Sequence, residues 1–196
     1  MSDIETIKVY DAKATEYAAR FDSDKPDAWV TSFIDAMPEG GNVLELGCGP
    51  GRIAAKMIGS GLVVDAVDAS QEMASIAKQK YGVEVRVAMF ADIAGTDIYD
   101  GIWANFSLLH APKADFPNHL AALHGALKPK GRLHLGMKLG TGEQRDTIGR
   151  FYAYYTQAEL TNHLKTAGFS VNRFGTGQSK GLAGFPEPWI IITAHG

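Results

Sequence analysis

The sequence predicts an α/β protein with a parallel sheet doubly wound about its first strand. Three observations carry that expectation. Val43-Leu44-Glu45-Leu46 reads as a short buried strand running into Gly47, Gly49 and Gly51, and then into a helix at Ile53. The apolar run 62–67 reads as a second buried parallel strand and ends on Asp68. Beyond it, helical and strand-like periodicities alternate along most of the chain, as in successive βαβ units.

Composition sets the bounds. The 196 residues suffice for one domain, 1–196, with a substantial core, and the 45% hydrophobic and 21% charged content is that of an ordinary globular protein. A net charge of −3 gives no general attraction to nucleic acid or to an anionic membrane. The one cysteine, Cys48, excludes an internal disulfide and a cysteine-rich metal site, and no metal-ligand cluster is expected. The first residues, Met1 to Glu5, lack the pattern of a signal peptide, and no apolar stretch is long enough to span a bilayer. A soluble cytoplasmic protein is expected.

The elements follow in order. Residues 4–21 place Ile4, Ile7, Tyr10, Ala14, Tyr17, Ala18 and Phe21 at helical steps, so that Tyr10 and Tyr17 share one face of an amphipathic helix. Pro26 opens a second helix, which carries Trp29, Phe33 and Met37 and stops at Pro38-Glu39-Gly40-Gly41. These helices, 1–38, precede a core of 42–196. Gly59-Ser60-Gly61 ends the helix after the glycine turn. Ser70 caps a helix over 71–80 that turns Met73, Ile76 and Ala77 inward. Val83, Val85 and Val87 alternate with Glu84 and Arg86 in a third strand near the sheet edge, and 88–96 is a loop. Residues 99–105 form the fourth strand, Pro117 opens a helix through Leu127, 128–131 turn, and 132–139 form the fifth strand. A polar loop, 140–150, leads to Phe151-Tyr152-Ala153-Tyr154-Tyr155. Thr156 and Glu159 then form a capping box for a helix ending near Gly168. Strand 169–174, a glycine-rich loop 175–184 and strand 189–193 read as a closing antiparallel hairpin.

The glycine turn is where the chemistry starts. Glycine reaches positive φ freely and lets a ligand lie against bare backbone. A dinucleotide site calls for G-x-G-x-x-G, but Arg52 stands at its third small position. The pattern present is E-x-G-x-G-x-G, led by Glu45. Asp68 follows Gly47 by about twenty residues, where an acid accepts hydrogen bonds from both ribose hydroxyls. Its other reading, a helix cap, is already filled by Ser70.

Residues 45–51 resemble motif I of the class I S-adenosylmethionine-dependent methyltransferases. YDGIWA (99–104), LLH (108–110) and ALKPKGRL (126–133) resemble the second half of the members that act on small molecules. The resemblance implies a Rossmann-like, seven-stranded sheet of order 3-2-1-4-5-7-6 with the last strand antiparallel, helices on both faces and an N-terminal lid helix. It implies S-adenosylmethionine as cofactor and S-adenosylhomocysteine as product. On that reading Glu45, Gly47, Gly49 and Gly51 form the cofactor turn, and Asp68, with Ala69 and Met73 beside it, holds the ribose. Met89 and Phe90 flank the adenine; the family commonly places an acid there, and here Asp92 comes slightly later. Asn105 and Ser107 border the methionine end, and Tyr10 and Tyr17 reach in from the lid.

His110, just past the fourth strand, is the candidate catalytic group, set against a histidine satisfied by backbone. His110, Lys138, Arg145, Tyr152 and Tyr154 are candidate acceptor contacts. Glu143 and Asp146 are at hand to pair with Lys138, Arg145 and Arg150 instead. No base is obligatory: alignment of the reactants contributes roughly 7–11 kcal/mol, a general base about 3–5 kcal/mol. Asn105-Phe106-Ser107-Leu108 stands where amino-methylating DNA enzymes carry Asp/Asn-Pro-Pro-Tyr/Phe, and the Pro-Cys of cytosine-C5 enzymes is missing. The region between the fifth strand and its following helix is too short for a macromolecular substrate domain. The expected partner is a small molecule, not nucleic acid or membrane. Two alternatives stay open. An NAD(P)-dependent oxidoreductase is opposed by Arg52 and by the missing Tyr-x-x-x-Lys; a non-catalytic protein that binds the same cofactor would show a filled or sealed acceptor pocket.

Overall fold

The computed structural model describes residues 3–22 and 27–196. Its strands are β1 (Asn42–Leu46), β2 (Val63–Asp68), β3 (Val85–Val87), β4 (Tyr99–Asn105), β5 (Leu127–Lys138), β6 (Glu143–Arg145), β7 (Phe151–Ala153), β8 (Ser170–Lys180) and β9 (Pro186–His195). Seven of them form one sheet of order β3-β2-β1-β4-β5-β9-β8, while β6 and β7 pair separately. β1 to β5 run parallel, and β9 is antiparallel to both β5 and β8. With the small β6–β7 pair set aside, this is the expected order.

Alternation along the central strands puts apolar side chains on both faces. Leu44 and Leu46 of β1 and Ile102 and Ala104 of β4 pack with α5 (Phe116–Ala126) and α6 (Gln157–Thr166). Val43 and Trp103, one step out of phase, pack with α2 (Ala28–Asp35) and α3 (Arg52–Gly59). The helix ends follow local chemistry. Ser70 caps α4 (Gln71–Tyr81) by accepting from the Met73 N–H at 3.1 Å, and the Thr156–Glu159 box closes as expected. α1 (Ile4–Arg20) is capped by Asp3, and α2 by Asp27; Pro26, its expected opening residue, lies outside the described residues.

The structure departs from expectation at four places. β2 is not buried throughout: β3 covers only Ala66 to Asp68, and Val63 is 60% exposed. β5 begins already at Leu127, so α5 stops one residue earlier, and the expected turn at 128–131 is an irregularity between the Tyr99 and Gly101 pairings. The polar loop 140–150 contains β6, whose partner β7 takes up Phe151. Finally, β8 runs on to Lys180 through the glycine-rich stretch. Gly175 and Gly177 make room rather than turns: a Cβ on either would lie 2.3 Å from the ring of Trp29 or Trp189.

Candidate active site

At the carboxyl ends of β1 and β2 the turn is built from backbone. Gly47, Gly49 and Gly51 have φ of +75°, +53° and +79°, the left-handed region that side chains disfavour. The N–H groups of Gly47 and Cys48 both donate to the Val67 carbonyl, at 2.8 and 2.9 Å. Asp68 ties the turn down: one carboxylate oxygen accepts from the Gly49 N–H at 2.8 Å, the other from the Ser70 N–H at 2.9 Å. Each oxygen keeps lone-pair capacity for a ligand hydroxyl. Burial raises the Asp68 pKa.

The three glycines do different work. A Cβ on Gly47 would lie 2.4 Å from Ser107 Cβ, so its absence lets the loop after β4 close against the turn. A Cβ on Gly51 would lie 2.7 Å from Ala77 Cβ, which makes Gly51 a packing position between α3 and α4. Gly49 meets only Tyr17, at 3.7 Å.

Two cavities share this turn. The smaller, about 90 Å³, is lined by Asp68, Ala69, Met73, Phe90 and Ser107. The larger, about 320 Å³, extends to Lys138, Arg150, Tyr152, Glu187 and Trp189. Tyr10, Tyr17, Gly47, Gly49, Asn105 and His110 wall both, so they are two compartments of one crevice. Glu45 lies on the wall of the larger one, 3% exposed, with its Oε2 unpartnered. Burial, reinforced by the Asp68 charge, pushes its pKa up to about 8.

α1 roofs the crevice and is fixed on both sides. Toward α4, Asp11 accepts from the Ser70 hydroxyl at 2.6 Å. Toward β7, Thr6 Oγ1 accepts from the Phe151 N–H at 2.8 Å, and Asp3 pairs with Arg145 at 2.7 Å. Between them Tyr10 Oη lies 2.8 Å from His110 Nε2. His110 Nδ1 faces the Phe151 carbonyl at 2.6 Å; a carbonyl only accepts, so Nδ1 carries the proton and Nε2 accepts from Tyr10. Arg150 donates to the Tyr10 oxygen at 3.0 Å and pairs with Asp146 at 2.8 Å. Burial, with Arg150 and Lys138 nearby, pushes the His110 pKa down to about 3. The imidazole is neutral and satisfied.

The structure brings most of the expected residues to the crevice and leaves four outside it. Gly51 packs on α4. Met89 is half-buried but lines neither cavity, while Asp92 accepts from its N–H at 2.8 Å and so serves a turn. Arg145 is exposed and paired with Asp3. Tyr154 is buried and its hydroxyl donates to Glu187 at 2.8 Å. The cations are held by internal pairs: Arg150 by Asp146, Lys138 by Glu187. Glu187, Trp189 and residues 179–182 also line the crevice without having been singled out. A signal for the first two existed: an antiparallel last strand starts where the fifth ends, and Trp189 pairs with Lys138.

The sheet order and the glycine turn at the switch point define the fold of class I S-adenosylmethionine-dependent methyltransferases. Residues 43–131 match the model of the methyltransferase domain family. The chain is 37% identical over 72 residues to YqeM, a Bacillus subtilis protein named as a methyltransferase, covering 37% of this chain and 29% of that one. It is 25% identical over 127 residues to an uncharacterized methyltransferase of Staphylococcus carnosus, covering 64% of this chain and 61% of the relative. The matched stretches thus span less than two thirds of both curated relatives. Among solved structures, 1,6-didemethyltoxoflavin-N1-methyltransferase of Burkholderia thailandensis, determined with 1,6-didemethyltoxoflavin and S-adenosylhomocysteine bound, is similar at a TM-score of 0.70 and 23% identity, over 100% of this chain and 90% of that one. Among the described residues no helix is long and apolar enough to cross a membrane, and no group of His, Cys, Asp and Glu could hold a metal ion.

Proposed function

We propose that the protein transfers a methyl group from S-adenosylmethionine to a small-molecule acceptor. One observation carries this reading: the compartment around Asp68 opens, past Gly47, Asn105 and His110, into a second one of about 320 Å³, the size of a small-molecule site. The residues present fit the cofactor. The turn offers bare backbone, Asp68 offers lone pairs for two hydroxyls, and Glu45 offers a buried oxygen without a partner, suited to an ammonium group. When bound, the cofactor supplies an electrophilic methyl carbon.

The chain's own part is chiefly alignment. Asp68 and Glu45 anchor the two ends of the cofactor, while Tyr152 and Trp189 offer the acceptor aromatic surface beside Lys138, Arg150 and Glu187. His110 holds the Tyr10 hydroxyl, and through it the roof, so its role is to orient rather than to take up a proton. The similar Burkholderia structure holds the small molecule 1,6-didemethyltoxoflavin beside S-adenosylhomocysteine, which supports a small-molecule acceptor. An oxidoreductase is disfavoured by Arg52, and the open second compartment favours an enzyme over a protein that only binds the cofactor.

Calorimetric titration with S-adenosylmethionine, S-adenosylhomocysteine and NAD(P)H, repeated on Asp68→Ala, tests the reading. Binding of the first two, none of NAD(P)H and a large loss in the variant are expected; acceptors are then screened by release of S-adenosylhomocysteine. Binding of NAD(P)H alone would overturn the proposal.

A further inference from the structure

His134, in the middle of β5, is 1% exposed and lines neither compartment. Its ring stacks on Trp103 of β4 with centroids 3.5 Å apart and planes 12° from parallel, and Trp29 meets its edge. An apolar ring would satisfy that packing without the cost of burying two nitrogens. The imidazole makes one hydrogen bond, from Nε2 to Asn105 Oδ1 at 3.1 Å, and Nδ1 has no partner. A buried N–H without a partner is rarer than a buried lone pair without one, so the proton belongs on Nε2. Nε2–H therefore donates, Asn105 Oδ1 accepts, and the amide's own N–H groups are left to face the crevice.

Two further features secure that orientation. A Cβ at position 136 would lie 2.4 Å from Asn105 Oδ1, so only Gly136 admits the side chain there. Phe106 has φ +57°, a left-handed conformation that a phenylalanine holds only where its surroundings impose it. Asn105 is thereby held where the two compartments meet.

We propose that His134 is a positioning residue: it locks Asn105 as a hydrogen-bond donor, so the crevice reads a ligand group that presents a lone pair, such as a carboxylate, a carbonyl or an unprotonated nitrogen. The inference rests on the methyltransferase reading only for the identity of the probe. Burial pushes the His134 pKa down to about 3, so at neutral pH the ring is neutral and the site of its single proton decides whether Nε2 donates.

The test has two arms. Long-range 1H–15N correlation on the labelled protein reads the His134 tautomer directly, without any ligand. A proton on Nε2 is expected, and a proton on Nδ1 overturns the proposal whatever the protein binds. In the second arm, calorimetry and the Asn105 side-chain amide resonances are followed with S-adenosylhomocysteine. His134→Phe keeps the stack on Trp103 but removes the donor; about tenfold weaker binding and broadened or doubled amide signals are expected. His134→Gln, which restores an N–H donor, should recover most of the affinity. Wild-type affinity and a single amide conformer in His134→Phe would overturn the proposal. If the wild-type protein bound no S-adenosylhomocysteine, the cofactor assignment would fall while the tautomer still decided the role of His134.

Discussion

The hydroxyl of Tyr10, on the first helix, donates to Nε2 of His110, on the loop after β4, and the Arg150 guanidinium donates to the same oxygen. One phenol thus joins the roof of the crevice to its floor. Tyr10→Phe keeps the ring but leaves a buried imidazole nitrogen and a buried guanidinium N–H without their partner. Urea unfolding should show a loss of about 1–3 kcal/mol. Faster hydrogen exchange confined to α1 should accompany it, and unchanged exchange there would contradict a latch at Tyr10.

Glu45 predicts a pH signature. In the unfolded chain it ionises above its ordinary value of 4.5, whereas in the folded protein burial keeps it protonated up to about 8. The folded pKa is raised, so its contribution to stability is present below pH 4.5 and is lost as pH rises toward 8. Glu45→Gln should flatten that slope in denaturant titrations. On the proposed function, a cationic ligand group beside Glu45 favours its ionised form. Binding of S-adenosylmethionine should then release a proton and tighten from pH 6.5 to about 8. Calorimetry in buffers of different ionisation enthalpy reads the proton count, and no release from the wild-type protein would count against this pairing.

Gly49 and Gly51 of the turn should separate binding from packing. Gly49→Ala strains a left-handed residue by about 1–2 kcal/mol and puts a methyl group against the surface offered to ligand, with only Tyr17 nearby. Modest destabilisation with most cofactor affinity lost is expected. Gly51→Ala carries the same strain plus a collision with Ala77, adding about 1–3 kcal/mol. A Gly51→Ala protein that still folds should bind nearly as wild type.

Asp146→Ala strands Arg150, whose side chain is 3% exposed. Breaking a buried pair from one side costs about 3–5 kcal/mol, so chemical denaturation should place this variant well below Arg150→Met/Asp146→Leu, which removes both charges.

Much of this molecule is legible in its residues because each signal is local. The switch from apolar run to glycine turn marks β1, Ser70 and Thr156 mark helix starts, and the acid after β2 marks Asp68. What escapes a linear reading depends on contacts far along the chain. Gly175 and Gly177 look like loop residues until Trp29 and Trp189 are seen to need the space. Arg145 resembles an anion-binding residue until the fold brings Asp3 beside it, 142 positions away. The polar β6 carries no periodicity of its own, since its three residues are exposed and held by pairing with β7. His134 is the sharpest case: in sequence it is one polar residue in an apolar strand, and only the register that sets it beside Trp103 gives it meaning.

The roof over the crevice has a kinetic consequence. Thr6 and its partner Phe151 lie 145 positions apart, and Tyr10 and Arg150 lie 140 apart. At a synthesis rate of about 5–20 residues per second, α1 leaves the ribosome roughly 7–30 s before those partners exist. The walls around Gly47 and Asp68 are complete in the nascent chain long before that. α1 can therefore rest on α4 through Asp11 and Ser70, 59 positions apart, before its β7-side partners exist, and the latch at Thr6 and Tyr10 closes last.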